Sequence, residues 1–250
     1  MAAHTAIEPI PVAFRSATLS TQIVLKVRQA LFDKQLRPGD FLGTEKDLAA
    51  RYGVSRIVAR DALRTLEAQG IVEIKVGAGG GARIAQGNAR LFAEALAVQL
   101  DLTGVSVSEI MDAQRAIECL AAELAAENAT ADDVARLRAL LAEAETQFDD
   151  LDAFTRNGRE FHLAVAEASH NRVLVVQLLS LQHVSWPTHN RTLTPMVARR
   201  LLAVHRELTD LIEMRDPAGA RRLMDDHVKM IRARRVAESA RGRGRTERCC

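Results

Sequence analysis

Three histidines in this 250-residue chain, His162, His205 and His227, are 43 and 22 residues apart, and each falls inside a stretch with helical periodicity. If three antiparallel helices bring them together, neutral imidazoles of this number suit zinc, nickel or copper. Water or a carboxylate would then fill the positions left open. A second constellation is cationic. Arg56, Arg60 and Arg64 recur every four residues, so on a helix they form one basic stripe. A guanidinium can fork onto the O6 and N7 of guanine, whereas a lysine such as Lys46 more readily grips phosphate.

The elements that must carry the arginines are legible around them. Residues 43–70 read GTEKDLAARYGVSRIVARDALRTLEAQG, two short helical patterns split by a turn at Tyr52-Gly53-Val54. Thr44 is placed to cap the first helix with Asp47 as its capping-box partner, and Ser55 opens the second. Ala49, Val54, Val58, Ala62 and Leu66 are small or branched contacts suited to a steep helix crossing, the signature of a helix-turn-helix. Ahead of it, Leu19, Ile23, Val27, Ala30 and Leu31 predict a helix that ends before Arg37-Pro38-Gly39-Asp40. Behind it, Ile71–Val76 alternates, breaks at Gly77-Ala78-Gly79-Gly80-Gly81 and resumes at Arg83-Ile84. That is a two-stranded hairpin with a glycine tip, the wing of a winged helix.

From residue 88 to about 236 every segment is helical in pattern, over 91–100, 107–128, 131–148, 151–169, 173–186, 195–214 and 217–236. Ser106 or Ser108, Thr130 with Asp133, and Asp216 before Pro217 are the expected caps. The expected fold is therefore mainly α, an N-terminal winged helix-turn-helix joined to an antiparallel all-helical bundle. The divisions are a flexible arm over 1–17, a DNA-binding domain over 18–84, an effector-binding and dimerisation domain over 85–236, and a disordered basic tail over 237–250. Charge follows these divisions. Residues 18–84 hold 11 Lys/Arg against 7 Asp/Glu, 85–231 hold 15 against 22, and 232–250 hold 7 against 2. A polyanion is expected to meet the front of the chain rather than its middle. No run approaches the roughly 18 apolar residues of a membrane span. The opening MAAHTAIEPIPVAF lacks the basic and apolar regions of a secretory signal, and Cys119 with Cys249 and Cys250 at the end makes no disulfide framework. A reducing cytoplasm is the expected setting.

This order of elements resembles the GntR family of bacterial regulators, in the FadR-like subgroup with an FCD effector domain. The match runs from residue 18 to about 235. In front it rests on Gly39-Asp40-x-Leu42-x-Thr44-Glu45-x-Asp47-Leu48-Ala49, then Gly53-Val54-Ser55-Arg56 and Arg60-Asp61-Ala62-Leu63-x-x-Leu66. Gly43 stands where proline is usual, and Ile57-Val58 replaces a pair that often includes proline. The resemblance implies DNA contacts from Lys46, Ser55, Arg56, Arg60 and Arg64 and from the wing tip at Gly79 and Gly80.

In the rear domain it rests on Phe161-His162-Leu163-Ala164, Ala168-Ser169-x-Asn171, His205 and His227. It implies a divalent metal on the three histidines, with an Asp one turn before the first. That position is Gly158 here; Asn157 is about 100° off phase and Glu160 points nearly away. It further implies an effector pocket reached by Arg115 of the Arg115-x-x-Glu118 pair and by Asn171, with His162, His205 and His227 around it. An arginine fork suits a small carboxylate; a surface ion pair between Arg115 and Glu118 is the plainer reading of the same residues. His183, His189, Asn190 and Arg191 flank the Trp186-Pro187 break near the expected pocket mouth.

The predicted function is a homodimeric, metabolite-responsive transcriptional regulator, a repressor on a palindromic operator released by a small organic acid. Two rivals use the same residues. A metal-dependent hydrolase would work from the three histidines but lacks a general base at a placeable spacing. An architectural DNA-binding protein would rely on the Arg/Gly tail.

Overall fold

The computed structural model describes residues 18–77, 79–185 and 193–246. The chain divides into two compact units at Asn88/Ala89, four residues beyond the expected boundary.

The first unit runs α1 (Leu19–Phe32), β1 (Phe41–Gly43), α2 (Glu45–Tyr52), α3 (Arg56–Ala68), β2 (Val72–Lys75) and β3 (Gly81–Ile84). Local chemistry starts each helix. Thr18 Oγ1 accepts from the Thr21 N–H ahead of α1, and Thr44 with Asp47 forms a complete capping box at α2. The core gathers Ile23, Val24 and Val27 of α1, Leu48 of α2, the inner face of α3, and Val72, Ala82 and Ile84 of the strands.

Two features differ from the sequence expectation. The wing is a three-stranded antiparallel sheet of order β1-β3-β2, because Phe41–Gly43 adds to the outer edge of the expected hairpin. Three residues are too few to show an alternating pattern, so β1 has no sequence signature of its own. Gly43 closes it at φ +128°, a backbone angle that a proline ring forbids, so the departure from the family pattern there is tied to the local chain path. In α3 the buried residues are Ala59, Ala62, Leu63 and Leu66, with Val58 half-buried against the same core, so the inward face holds the expected contacts Val58, Ala62 and Leu66 and adds Ala59 and Leu63. A helix repeats every 3.6 residues, so a strict count of four drifts off the buried face.

The second unit comprises α4 (Ala89–Leu102), α5 (Val107–Asn128), α6 (Ala131–Glu145), α7 (Leu151–Ala168), α8 (Arg172–Ser185), α9 (Pro195–Glu213) and α10 (Pro217–Thr246). Ser106 with Glu109 and Thr130 with Asp133 complete the capping boxes of α5 and α6, and Thr194 caps α9 ahead of Pro195 at the first turn. Asp216 Oδ1 accepts the Gly219 N–H at the start of α10. The Ala-rich face of α5, with Ala121, Ala122, Ala125 and Ala126 all buried, lets neighbouring backbones approach closely, and α10, α7 and α8 pack against it. Phe161, Leu202, Leu208, Ile212 and Met224 fill the centre.

The backbone of α10 continues to Thr246, ten residues past the point where order was expected to end. Ala237, Glu238, Ala240 and Arg241 are good helix formers, and elongating an existing helix needs no new nucleus. Residues 247–250, with Cys249 and Cys250, lie outside the described residues. Among the described residues no helix is long and apolar enough to cross a membrane.

Candidate metal centre and nucleic-acid interface

Three helices deliver the histidines. His162 on α7, His205 on α9 and His227 on α10 are each at least 95% buried, and their ligand nitrogens lie within 4.8 Å of one another. Nε2 of His227 is 3.2 Å from Nε2 of His205 and 3.3 Å from Nε2 of His162. For metal–nitrogen bonds of about 2.1 Å, adjacent donors sit roughly 3.0 Å apart at right angles and about 3.4 Å apart at the tetrahedral angle. The observed spacings fall between those limits.

The rings are oriented as ligands would be. Nδ1 of His162 lies 2.5 Å from Oε2 of Glu118, and neither of these buried atoms makes a hydrogen bond to any other group. A proton shared there stays on Nδ1, which turns the Nε2 lone pair of His162 toward the other two rings; this is the carboxylate–histidine arrangement that supports metal ligands. Gln114 Nε2 donates to the other Glu118 oxygen at 2.5 Å. Phe161 stacks on His205 with centroids 4.3 Å apart and fixes that ring's plane. Without a cation, one ring of each close pair must carry its proton on Nε2 to satisfy the other, whereas a cation would give all three Nε2 lone pairs one shared partner. The donor set therefore fits a divalent ion.

Electrostatics keep two of these donors, His205 and His227, unprotonated. Burial pushes the His227 imidazole down to about 3, assisted by His162, and holds His205 well below the ordinary histidine value. Burial would raise the Glu118 carboxyl, but the facing His162 and the Gln114 amide outweigh it and leave Glu118 lowered. In metal-free protein this has a sign that can be tested. The folded pKa values of His205 and His227 lie below the unfolded value of about 6.5. The unfolded chain therefore takes up protons first, and stability present above pH 6.5 is lost as pH falls from there toward 3. The urea midpoint of chelator-treated protein is expected to be lower at pH 5 than at pH 7.5; equal midpoints would contradict neutral buried imidazoles.

The histidines form one wall of a cavity of about 50 Å³, completed by Phe154, Leu193, Leu201 and Ile231 and by the polar residues Thr155, Arg234 and Arg235. Gly158 also lines it, and a Cβ built there would meet nothing within 4 Å. Thus the one-turn position before His162 is open space. Asn157 is turned away, donating to the Leu140 carbonyl at 3.1 Å.

Two expected pocket residues lie elsewhere. Arg115 pairs with Asp225 of α10 and lines a shallow surface recess with Asp112, Cys119 and Arg221. It is paired neither with Glu118 nor with the histidine cavity, because Glu118 sits on the inward face of α5 and Arg115 does not. Asn171 caps α8, its Oδ1 accepting from the N–H groups of Val173 and Leu174. The side chain of His183 and all of His189, Asn190 and Arg191 lie outside the described residues. Thr155, Arg234 and Arg235 are the residues that sequence reasoning missed, and Glu118 was named there only as the partner of Arg115. Arg234 stands seven residues after His227, two helical turns along the same face, so that spacing carried a signal. It was obscured because Arg232, Arg234 and Arg235 were counted with the basic charge of residues 232–250.

The first unit presents the second candidate surface. Arg56, Arg60 and Arg64 all lie exposed on α3, with Lys46 exposed on α2. Ser55 caps α3, its Oγ accepting from the Val58 N–H at 3.3 Å. Replacing Ser55 by alanine is expected to cost about 1 kcal/mol of stability, readable as a lowered urea midpoint of the purified protein. At the wing, Gly79 has φ +77° and a Cβ on Gly80 would fall 2.3 Å from the Lys75 carbonyl oxygen, so the tight tip admits only glycine at position 80. Arg60 is the stripe member with a partner. It pairs with Glu45 of α2, a residue outside the expected site.

Comparison with known proteins agrees with this two-part architecture. Residues 19–81 match the bacterial regulatory proteins of the gntR family, and residues 109–230 match the FCD domain. A relative from Escherichia coli (strain K12), whose name assigns it to the L-lactate dehydrogenase operon, is 32% identical over 223 residues, covering 85% of this chain and 84% of its own. The Uxu operon regulator of Haemophilus influenzae is 28% identical over 207 residues, covering 78% and 74%. The solved structure of a Streptococcus agalactiae GntR protein superposes with a TM-score of 0.64 at 22% identity, covering 86% of this chain and 99% of that one; it shares the fold. The chain belongs to the GntR family of transcriptional regulators and carries an FCD domain. The relatives carry the names of operon regulators, and the two matched domains make the chain a DNA-binding, metabolite-responsive transcriptional regulator rather than a hydrolase.

Proposed function

We propose that the protein is a cytoplasmic, homodimeric repressor whose two winged helices dock on the half-sites of a palindromic operator, about one DNA turn apart. A small carboxylate would release it by binding the FCD cavity. The observation that carries this reading is the convergence of three histidine Nε2 atoms on one wall of a cavity that Arg234 and Arg235 also line. His162, His205 and His227 would hold zinc or nickel, with Gly158 replacing the fourth, carboxylate ligand. When bound, the ion supplies a Lewis-acidic partner for an anion's oxygen.

The chain's own residues do the rest. Glu118 holds the proton on Nδ1 of His162, apolar side chains line much of the cavity, and Arg234 offers a fork for a carboxylate. A cavity of about 50 Å³ has room for a few water-sized groups, which favours an acid of two or three carbons. L-lactate, after whose dehydrogenase the Escherichia coli relative's operon is named, is of that class. On the DNA side, support comes from the exposed Arg56, Arg60 and Arg64 on α3, capped by Ser55, with Lys46 and the Gly79-Gly80 tip beside them.

The test is a thermal-shift screen of small carboxylates with and without Zn²⁺ or Ni²⁺. Binding to the folded state alone raises apparent stability. Each hit should then weaken duplex binding, by a coupling of roughly 1–3 kcal/mol. Stabilisation by no acid, or by acids that leave DNA affinity unchanged, would sink the proposal.

A further inference from the structure

Glu45 is the first residue of α2 and Arg60 lies one turn into α3, yet their side chains meet edge to edge. Nε of Arg60 donates to Oε1 of Glu45 at 2.7 Å and Nη2 to Oε2 at 2.9 Å. The pair is on the surface, with side-chain exposures of 53% for Arg60 and 37% for Glu45, so it contributes little to folding. It does fix where the guanidinium points. The Nε/Nη2 edge is used by the carboxylate, and the Nη1/Nη2 edge keeps a second pair of N–H donors, the fork that matches guanine O6 and N7. Arg56 and Arg64 flank Arg60 on the stripe and form no ion pair among the described residues. Both residues of the pair also border the groove between α3 and the wing, with Arg64, Lys75 and Gly80.

We propose that Glu45 is a positioning residue that holds Arg60 for base reading, so that it sets operator specificity rather than affinity. This rests on the reading of α3 as the DNA-reading helix. A free arginine on a basic stripe can swing to any phosphate within reach. One bound to a carboxylate cannot do so without abandoning an anion beside the DNA backbone, which phosphate charge makes unfavourable. The pair thus biases Arg60 toward a base edge. Removing the carboxylate should move two quantities in opposite directions. Discrimination at one base pair falls, while non-specific affinity holds or rises because a negative charge has left the stripe.

The experiment starts by letting the full-length protein select its preferred site from random duplexes. Binding to that site and its single-base variants is then measured by fluorescence anisotropy for wild type, Arg60→Ala, Glu45→Gln and the double variant. The position where Arg60→Ala loses preference identifies the base that Arg60 reads. Glu45→Gln is expected to lower discrimination there by about fivefold or more, leave other positions within twofold, and bind random duplex at least as tightly as wild type. The double variant should match Arg60→Ala. Asp47→Ala, which breaks the capping box of α2 without touching the pair, should leave that base preference intact. Undiminished discrimination in Glu45→Gln, an even loss at every position, or no position sensitive to Arg60→Ala would overturn the proposal. If the wild type selects no sequence at all, the DNA-reading assignment fails first and the role of Glu45 with it.

Discussion

Replacing His205 by alanine is expected to strip the protein of bound divalent metal. Apparent metal-binding energies of about 10–16 kcal/mol in small four-ligand zinc sites correspond to roughly 3 kcal/mol per donor. With only three protein donors on hand, losing one should weaken binding by at least about a hundredfold. His205 is well suited to this test because its Nε2 faces His227 at 3.2 Å and its ring is held flat against Phe161. Removing it also leaves a gap beside Phe161, so metal-free Tm values of both proteins must be compared to separate lost coordination from loosened packing. Metal analysis of untagged, dialysed protein and competitive titration with a chromophoric chelator are the measurements. A His205→Ala protein that keeps one tightly held ion per chain would remove the three-histidine site from consideration.

Gly158→Asp should do the opposite and raise metal affinity by about tenfold to a hundredfold. The reasoning is steric first. Position 158 lies one turn before His162 on α7, lines the same cavity, and has nothing within 4 Å of the atom to be added. It is then chemical, since a carboxylate adds a charged oxygen donor to three neutral nitrogens and suits harder ions such as manganese. Aspartate is no worse than glycine inside a helix, so the fold should tolerate the change. Isothermal titrations with Zn²⁺ and Mn²⁺ would read it, with the larger relative gain expected for Mn²⁺. Unchanged affinity for both would mean that the new carboxylate does not reach the ion, and the account of Gly158 as the lost ligand position would fail.

The sequence made most of the architecture legible because its helix starts are written in short-range chemistry. Thr44 with Asp47, Ser106 with Glu109, and Thr130 with Asp133 satisfy their own backbone donors, so the helices they open can be placed without knowing any neighbour. The histidines were legible for another reason: their spacing across three helical patterns matched the resemblance to the FCD domain. What stayed hidden depends on contacts between elements remote in sequence. Strand β1 exists only because β3 offers it an edge. Arg115 and Glu118, three residues apart, were read as partners of each other or of a ligand. Instead they turn to opposite surroundings, Arg115 to Asp225 outside and Glu118 to His162 inside. Met111, Gln114, Glu118, Ala122 and Ala125 trace one buried row along α5, so the inward course of Glu118 was present in the periodicity. A charged residue in an apolar row was simply easier to assign to the surface.

α10 has mechanical consequences. His227, Ile231, Arg234 and Arg235 project from one uninterrupted helix that continues to Thr246, and no proline or glycine falls between His227 and Ala240 to act as a joint. From His227 to Ala240 the rise is about 20 Å at 1.5 Å per residue. A tilt of about 4° pivoting on the histidine would carry the far end through roughly 1.4 Å along that length. A difference in cavity contents too small to alter the bundle's packing would thus emerge as displacement at a distant tip, with the helix serving as a pointer on a balance.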